Sequence, residues 1–409
     1  MMGIREQALK LHRVNYGKLG VVSKVQVKNS NDLSLAYSPG VAEPCKEIKT
    51  NPVLTYQYTN RGNAVAVISD GTAVLGLGDI GPEAALPVME GKAILFKTFA
   101  DIDAYPICLA AKEVNEVVQA VKWLEPTFGG INLEDISGPR CFEIEERLKK
   151  ELKIPVFHDD QHGTAVICCA GLINALKVVE KEIDRTKVVV SGGGAAGIAV
   201  SKMLINIGII PTNIKICDKD GILYPGGTAN PYQEEMALLT NPQGERGGLP
   251  DALVGADAFI GVSAPGIVSP EMVRSMASKA IIFGMANPVP EIMPEQALAA
   301  GAVVVGSGRS DMKNQINNLL GFPGIFRGTL DVRASEINEA MKLAAAQAVA
   351  GLITQAELSA EYVIPQPFDR RVVPAVALAV AQAAMDTGVA GEPKTFNELK
   401  AGLAKRGLL

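Results

Sequence analysis

"KVVVSGGGAAGIAV", residues 187–200, decides the fold. An apolar, β-branched run leads into a glycine-rich turn, and an apolar helical pattern leaves it. Gly192, Gly193, Gly194, Ala195, Ala196 and Gly197 together fit G-x-G-x-x-G. Alone the pattern says little, but strand before and helix after is the context in which it binds a dinucleotide. The first glycine allows the tight turn, the second lets backbone approach a pyrophosphate, and the third lets helix pack on strand. The helix start then offers unpaired N–H groups and partial positive charge to the phosphates. Asp218 closes the next strand, IKICD, where a carboxylate accepts ribose hydroxyls. The same carboxylate repels a 2′-phosphate, which favours NAD over NADP, although Lys215 and Lys219 lie close enough to offset it.

Downstream, strand–helix pairs recur: 214–217 with 231–240, then ADAFIGV, AIIFGMA and AVVVGS separated by helical stretches. Such alternation builds parallel sheet covered on both faces. The Ala-rich segment 335–386 reads as helical, interrupted around VIPQPFDRRVVP. Upstream, 4–15 reads as an amphipathic helix, and AVAVI (64–68) and TAVLGLG (72–78) as strands joined by a Ser-Asp-Gly turn. Helix is expected over 82–97, 112–124 and 139–151, with strands at YPICLA (105–110), GGINLEDI (129–136) and IPVFH (154–158). A long helix follows over roughly 161–180. The expected fold is α/β in two domains: an N-terminal α/β catalytic domain over 1–163, and a C-terminal Rossmann-like dinucleotide-binding domain over 164–409 with a helical tail.

At 409 residues the chain exceeds a single typical core. Its 48% hydrophobic and 20% charged composition is that of a soluble globular protein. A net charge of −5 with no basic block argues against nucleic acid as a partner. No apolar run approaches the roughly 20 residues needed to span a bilayer, and the start, MMGIREQALKLHRVN, lacks a signal-like apolar segment. No CxxC pair occurs among the six cysteines, and four lie in or beside apolar stretches as buried thiols, which fits a reducing cytoplasm.

Two acid pairs, in FGGINLEDI and FHDDQHGTAV (157–166), stand at the ends of expected strands. In open α/β sheets ligands bind beyond the carboxyl ends of strands, so Glu134, Asp135 and one of Asp159 or Asp160 can converge. Three carboxylates that leave positions for water and substrate suit Mg²⁺ or Mn²⁺. Adjacent acids on a regular strand face opposite ways, so Glu134 and Asp135 reach one ion only if the chain turns, as Ile136-Ser137-Gly138-Pro139 permits. The plainer reading of each pair is helix capping and solvation. His158 and His162 have the spacing of a zincin helix, but Asp159 stands where that motif needs Glu, and Gly163 weakens the helix. Lys92, in LPVMEGKAILFK, is flanked by apolar residues, and burial would lower its pKa toward general-base range. A lysine snorkelling from an apolar face is the plainer reading. Tyr37, in LSLAYSPGVAEP, sits on a loop that can carry a phenol to a cleft, or is simply a core tyrosine.

Taken in order, YSPG, GLGDIG with EGKA, the LED acids, DDQHGTA and the GGGAAG loop resemble the malic enzymes, most closely their short bacterial and archaeal form. The resemblance covers roughly residues 15–390. It implies oxidative decarboxylation of L-malate to pyruvate and CO₂, with reduction of NAD or NADP and a divalent metal, in a homodimer or larger homo-oligomer. By motif, Tyr37 would be the acid, Lys92 the base and Asp159 its companion, with Glu134, Asp135 and Asp160 on the metal. Asn287 and Asn318 would meet substrate, and Asn287 the nicotinamide as well; Asn317 competes with Asn318 for that role. Larger members carry an arginine for the malate carboxylate where Ala73 stands here, so Arg309 or a second subunit would have to hold that carboxylate. Malolactic chemistry on the same site, or a binding protein without turnover, are the competing readings.

Overall fold

Four apolar runs in the first half pair side by side. In the computed structural model, which describes residues 3–74 and 76–409, they are β1 (Ala64–Ser69), β2 (Asp103–Cys108), β3 (Gly130–Leu133) and β4 (Val156–His158). All pair in parallel, in the order β2-β1-β3-β4. β1, β3 and β4 are buried at every residue, which is why they read as continuous apolar runs rather than alternating ones.

The second sheet runs β10-β9-β8-β5-β6-β7. Its members are β5 (Val188–Ser191), β6 (Ile214–Asp218), β7 (Gly221–Ile222), β8 (Ala258–Gly261), β9 (Ile281–Gly284) and β10 (Val304–Ser307). β7 alone is antiparallel among these described strands, a short hairpin return on β6. β5 has β6 on one side and β8 on the other, so the strand order switches direction at β5. A crevice opens beyond its carboxyl end, where the glycine loop leaves.

The helix Asp159–Val179 starts directly after β4, and the helix Ala195–Asn206 packs along it. One apolar core runs from Val65 and Ile68 through Cys168 and Leu172 to Val190 and Ile260. The helix is unbroken across residues 163 and 164, where the sequence reading put the boundary between the two domains. At 21 residues it is also long and apolar enough to cross a bilayer, which the sequence reading had missed. With 72% of its apolar window buried by protein, it reads as a core helix.

One more expectation changes. TAVLGLG is not a strand: residues 72–74 and 76–78 form a tight loop, with Leu75 outside the described residues. Gly76 and Gly78 take φ of +76° and +73°, and Val74 and Gly78 exchange backbone hydrogen bonds across the turn. The glycines override the apolar pattern because they alone adopt that backbone cheaply. The tail is three helices, Glu339–Gly351, Val372–Asp386 and Phe396–Lys405, and the first two pack on each other. At the other end, the helices Ile4–Asn15, Ser30–Ala36 and Ala42–Thr50 contain no buried residue, although Val21 between them is 98% exposed and Leu35 is 70% exposed.

Candidate active site

β3 stops at Leu133 and the chain turns at once: Asp135 has φ of +54°. The turn needed to bring adjacent acids to one side therefore lies at Asp135 itself, a residue type that tolerates the left-handed region better than most. From the end of β4, Asp160 reaches the same place, its Oδ2 accepting from the Asp135 backbone N–H at 2.7 Å. Glu134, Asp135 and Asp160 each offer an oxygen within 4.8 Å of the others. Asp135 Oδ2 is buried with no partner. Burial first, then the charges of Asp160 and Glu134, pushes the Asp135 carboxyl up to about 9. Burial likewise raises Asp160 to about 6 and Glu134 above its usual value. Three crowded carboxyls with an orphaned buried oxygen fit a hard divalent cation, and the oxygen-only donor set suits Mg²⁺ or Mn²⁺.

Lys92 stands beside them on the helix Pro82–Ala100. Its Nζ lies 2.5 Å from Asp159 Oδ2, 2.8 Å from Glu134 Oε1, and 4.2 Å from the centre of the Phe322 ring. Here the sequence reading is reversed. Burial does act to lower the lysine, but Asp159 and Glu134 outweigh it and the net shift is upward, so the group is an ammonium. Its partner shifts upward too, but for the opposite reason: burial pushes Asp159 up to about 7 despite Lys92. Asn318 Nδ2 donates to the same Asp159 oxygen at 2.6 Å. The histidines stand outside the acid cluster's hydrogen bonds. His162 Nε2 meets Glu145 at 2.8 Å and Nδ1 faces Lys342 Nζ at 3.1 Å, while neither ring nitrogen of the buried His158 makes a hydrogen bond, its Nδ1 lying 3.7 Å from Asp160 Oδ2.

A cleft of about 550 Å³ joins these acids to the glycine loop, with Asp135 and Asp160 on one wall and Ala195 and Ala196 on the other. Gly192 takes φ of +118° to make the turn. A Cβ at Gly197 would sit 1.7 Å from the Gly192 carbonyl oxygen, so the third glycine lets the helix close on the loop. Gly194 caps the helix Ala195–Asn206 and has open space where a side chain would be. Asp218, at the end of β6, accepts from Gln233 Nε2 at 2.8 Å and from the Lys219 backbone N–H at 2.9 Å. Lys215 pairs with Glu245 at 2.6 Å, and the Lys219 side chain is largely in solvent.

Ala73, Asn287, Asn317 and Asn318 all line the cleft. Asn317 Oδ1 is engaged in capping Leu319, accepting its N–H at 2.9 Å. Arg309 does not reach the cleft; its guanidinium grips Asp311 at 2.7 Å and the Pro288 carbonyl at 3.2 Å. Tyr37 is 69% exposed and is not among the cleft-lining residues. Sequence reasoning missed Ser263, which lines the cleft just past the carboxyl end of β8. That position was the available signal.

Comparison with known proteins gives the same grouping. Residues 16–149 match the malic enzyme N-terminal domain, and residues 161–385 match the malic enzyme NAD binding domain. The chain is 62% identical to a bifunctional malic/malolactic enzyme of Bacillus subtilis over 391 residues, covering 95% of each. It is 58% identical to an NAD-dependent malic enzyme of Geobacillus stearothermophilus, over 91% of this chain and 78% of the relative. The crystal structure of a malic enzyme from Pyrococcus horikoshii superposes with a TM-score of 0.95 at 48% identity, over 99% of this chain and 96% of that one. With two family models matched in succession and relatives aligned almost end to end, this chain belongs to the malic enzyme family.

Proposed function

We propose that the chain oxidatively decarboxylates L-malate to pyruvate and CO₂, reducing NAD(P) with a bound Mg²⁺ or Mn²⁺. The observation that carries this reading is the Lys92 ammonium held between Asp159 and Glu134, on an acid cluster that shares one cleft with the dinucleotide loop. Glu134, Asp135 and Asp160 would hold the metal, which would polarise the substrate oxygens. Lys92 Nζ hands a proton to Asp159 Oδ2 and takes the C2 hydroxyl proton of malate; a carboxyl raised to about 7 suits that transfer near neutrality. Asn318 steadies Asp159 for it. Asn287 and Asn317 supply neutral amide donors to substrate along the cleft wall. The helix start at Gly194–Ala196 receives the pyrophosphate and Asp218 the ribose, with NAD preferred because Lys215 is already committed to Glu245.

Tyr37 would protonate C3 of enolpyruvate, and it would do so from a second copy of the chain. Its exposure, and the unburied arm that carries it, support a homodimer in which this arm crosses to the partner's cleft. The free cysteines support a reducing, cytoplasmic setting. A second reading, malolactic conversion, has one specific support: the 62% identical relative is named as bifunctional. Incubation with malate, Mn²⁺ and either cofactor decides between them. Growth of absorbance at 340 nm with pyruvate is the expected result, lactate without net reduced cofactor means the second reading, and no product refutes both.

A further inference from the structure

The helix Pro82–Ala100 that carries Lys92 also enters a second cavity, of about 540 Å³, with Lys97 and its capping residue Asp101. Arg327, 1% exposed, forms its floor, and Lys24, Lys97, Arg333, Lys394 and Arg406 stand around it. Against these six cations the cavity sets four acids, Asp101, Asp103, Asp331 and Glu392. The chain as a whole carries −5, so a cavity with surplus positive charge departs from what composition would give.

The acids are shared rather than matched one to one. Asp103 serves Lys24 at 3.1 Å and Lys97 at 2.9 Å, and Asp101 serves Lys97 at 2.6 Å and Arg406 at 3.1 Å. Glu392 is 3.4 Å from Lys394 and 4.0 Å from Arg333, while Asp331 is engaged by the buried Arg327 at 2.8 Å. Convergent lysine and arginine N–H groups with too few carboxylates favour an anion, since charge-assisted bonds to phosphate or carboxylate are the strong ones and the guanidinium forks match their geometry. Burial of part of the set weakens screening by solvent and strengthens that preference.

We propose that this cavity binds a small multivalent anion, bearing phosphate or clustered carboxylates. A bound anion would rest on the helix Pro82–Ala100, which carries Lys92, and on the helix Phe322–Asp331, which packs against that lysine. Lys97 lies five residues beyond Lys92, about 8 Å along the axis. On the helix Phe322–Asp331, Phe322 lies against the Lys92 ammonium while Arg327 and Asp331 face the anion. The Phe96 ring packs on Phe322 and Phe326, at 4.7 and 5.2 Å, between the two sites.

The test is calorimetric titration of the full chain, saturated with Mg²⁺ and NAD, with inorganic phosphate and separately with tricarballylate. Binding of at least one at one per chain, weakening as salt is raised, is expected; the anion that binds tells phosphate from carboxylate. Lys24→Gln with Lys394→Gln should weaken binding at least tenfold while malate turnover and Tm are kept, and Lys394→Arg should retain it. If the double variant does not fold, Lys24→Gln alone, at an exposed side chain, should still weaken binding. Failure of both anions to bind, or equal binding by wild type and folded variants, overturns the proposal. Because the readout is binding and not turnover, it stands or falls apart from the malate reading.

Discussion

Asn318 Nδ2 donates to Asp159 Oδ2 at 2.6 Å across 159 residues of chain. The same oxygen receives Lys92 Nζ at 2.5 Å, so a residue after the second sheet helps hold the proton-transfer pair built on the first. Asp159 is raised to about 7, mainly by burial, and a donor on its charged form works against that rise. Asn318→Ala should therefore push Asp159 higher. Activity falls as pH drops through the Asp159 titration, and the variant's acid limb should move to higher pH. Loss of a hydrogen bond to a charged group, worth roughly 1.5–3 kcal/mol, implies a fall in kcat of about tenfold or more near neutrality. A pH–rate profile superimposable on wild type would refute this.

Metal binding should be linked to pH through the raised acids. Asp135 at about 9 and Asp160 at about 6 bind more protons in the folded, metal-free protein than in the unfolded chain above about pH 4. Metal-free stability attributable to them is present at low pH and lost as pH rises through those values. Mn²⁺ should accordingly raise Tm more at about pH 8.5 than at about pH 5.5, releasing protons as it binds. Asp160→Ala should abolish most of that response and the turnover with it. His162→Ala should retain the metal response, because its ring nitrogens serve Glu145 and Lys342. A metal-induced Tm shift lost with His162 and kept without Asp160 would mean that the ligand set is wrong.

Subunit mixing tests the origin of Tyr37. Tyr37→Phe and Lys92→Ala chains should each lose activity, by about 10²–10⁴-fold for the lysine. Unfolded together and refolded, they should regain about a quarter of wild-type activity, since half the dimers are mixed and each mixed dimer has one intact site. No recovery, in a preparation shown to contain mixed dimers, would place both residues in one chain.

Asp218→Ser should shift the ratio of kcat/KM values toward NADP. A carboxylate facing a 2′-phosphate at about 4 Å repels it by roughly 4 kcal/mol per charge pair at an effective dielectric of 20, before screening. The bonds from Gln233 and Lys219 hold the Asp218 carboxylate beside the glycine loop, ready to meet the ribose. Strong NADP preference in the wild type, indifferent to this substitution, would show that the carboxylate plays no part in choosing the cofactor.

The sequence by itself determined the second sheet and the glycine loop, and narrowed the acids to Glu134, Asp135 and one of Asp159 or Asp160, because those signals are local. β5 is an apolar run, Gly192 and Gly197 are demanded by one turn and one close contact, and the acids follow strands whose ends can be counted. It misjudged TAVLGLG for the opposite reason: apolar pattern and glycine backbone freedom disagree there, and only the folded turn shows which prevails. Tertiary structure alone decided the charge of Lys92. Its apolar flanks were legible, but Glu134 and Asp159 directly follow strands β3 and β4, on the far side of β1, and their two carboxylates outweigh the burial that the flanks imply. Arg309 and Tyr37 teach the same lesson, since a side chain's reach depends on which neighbour claims it first. Asp311 claims the arginine, and within one chain nothing buries the tyrosine. Periodicity and turn chemistry act over a few residues and can be read along the chain, whereas electrostatics acts through space and waits for the fold.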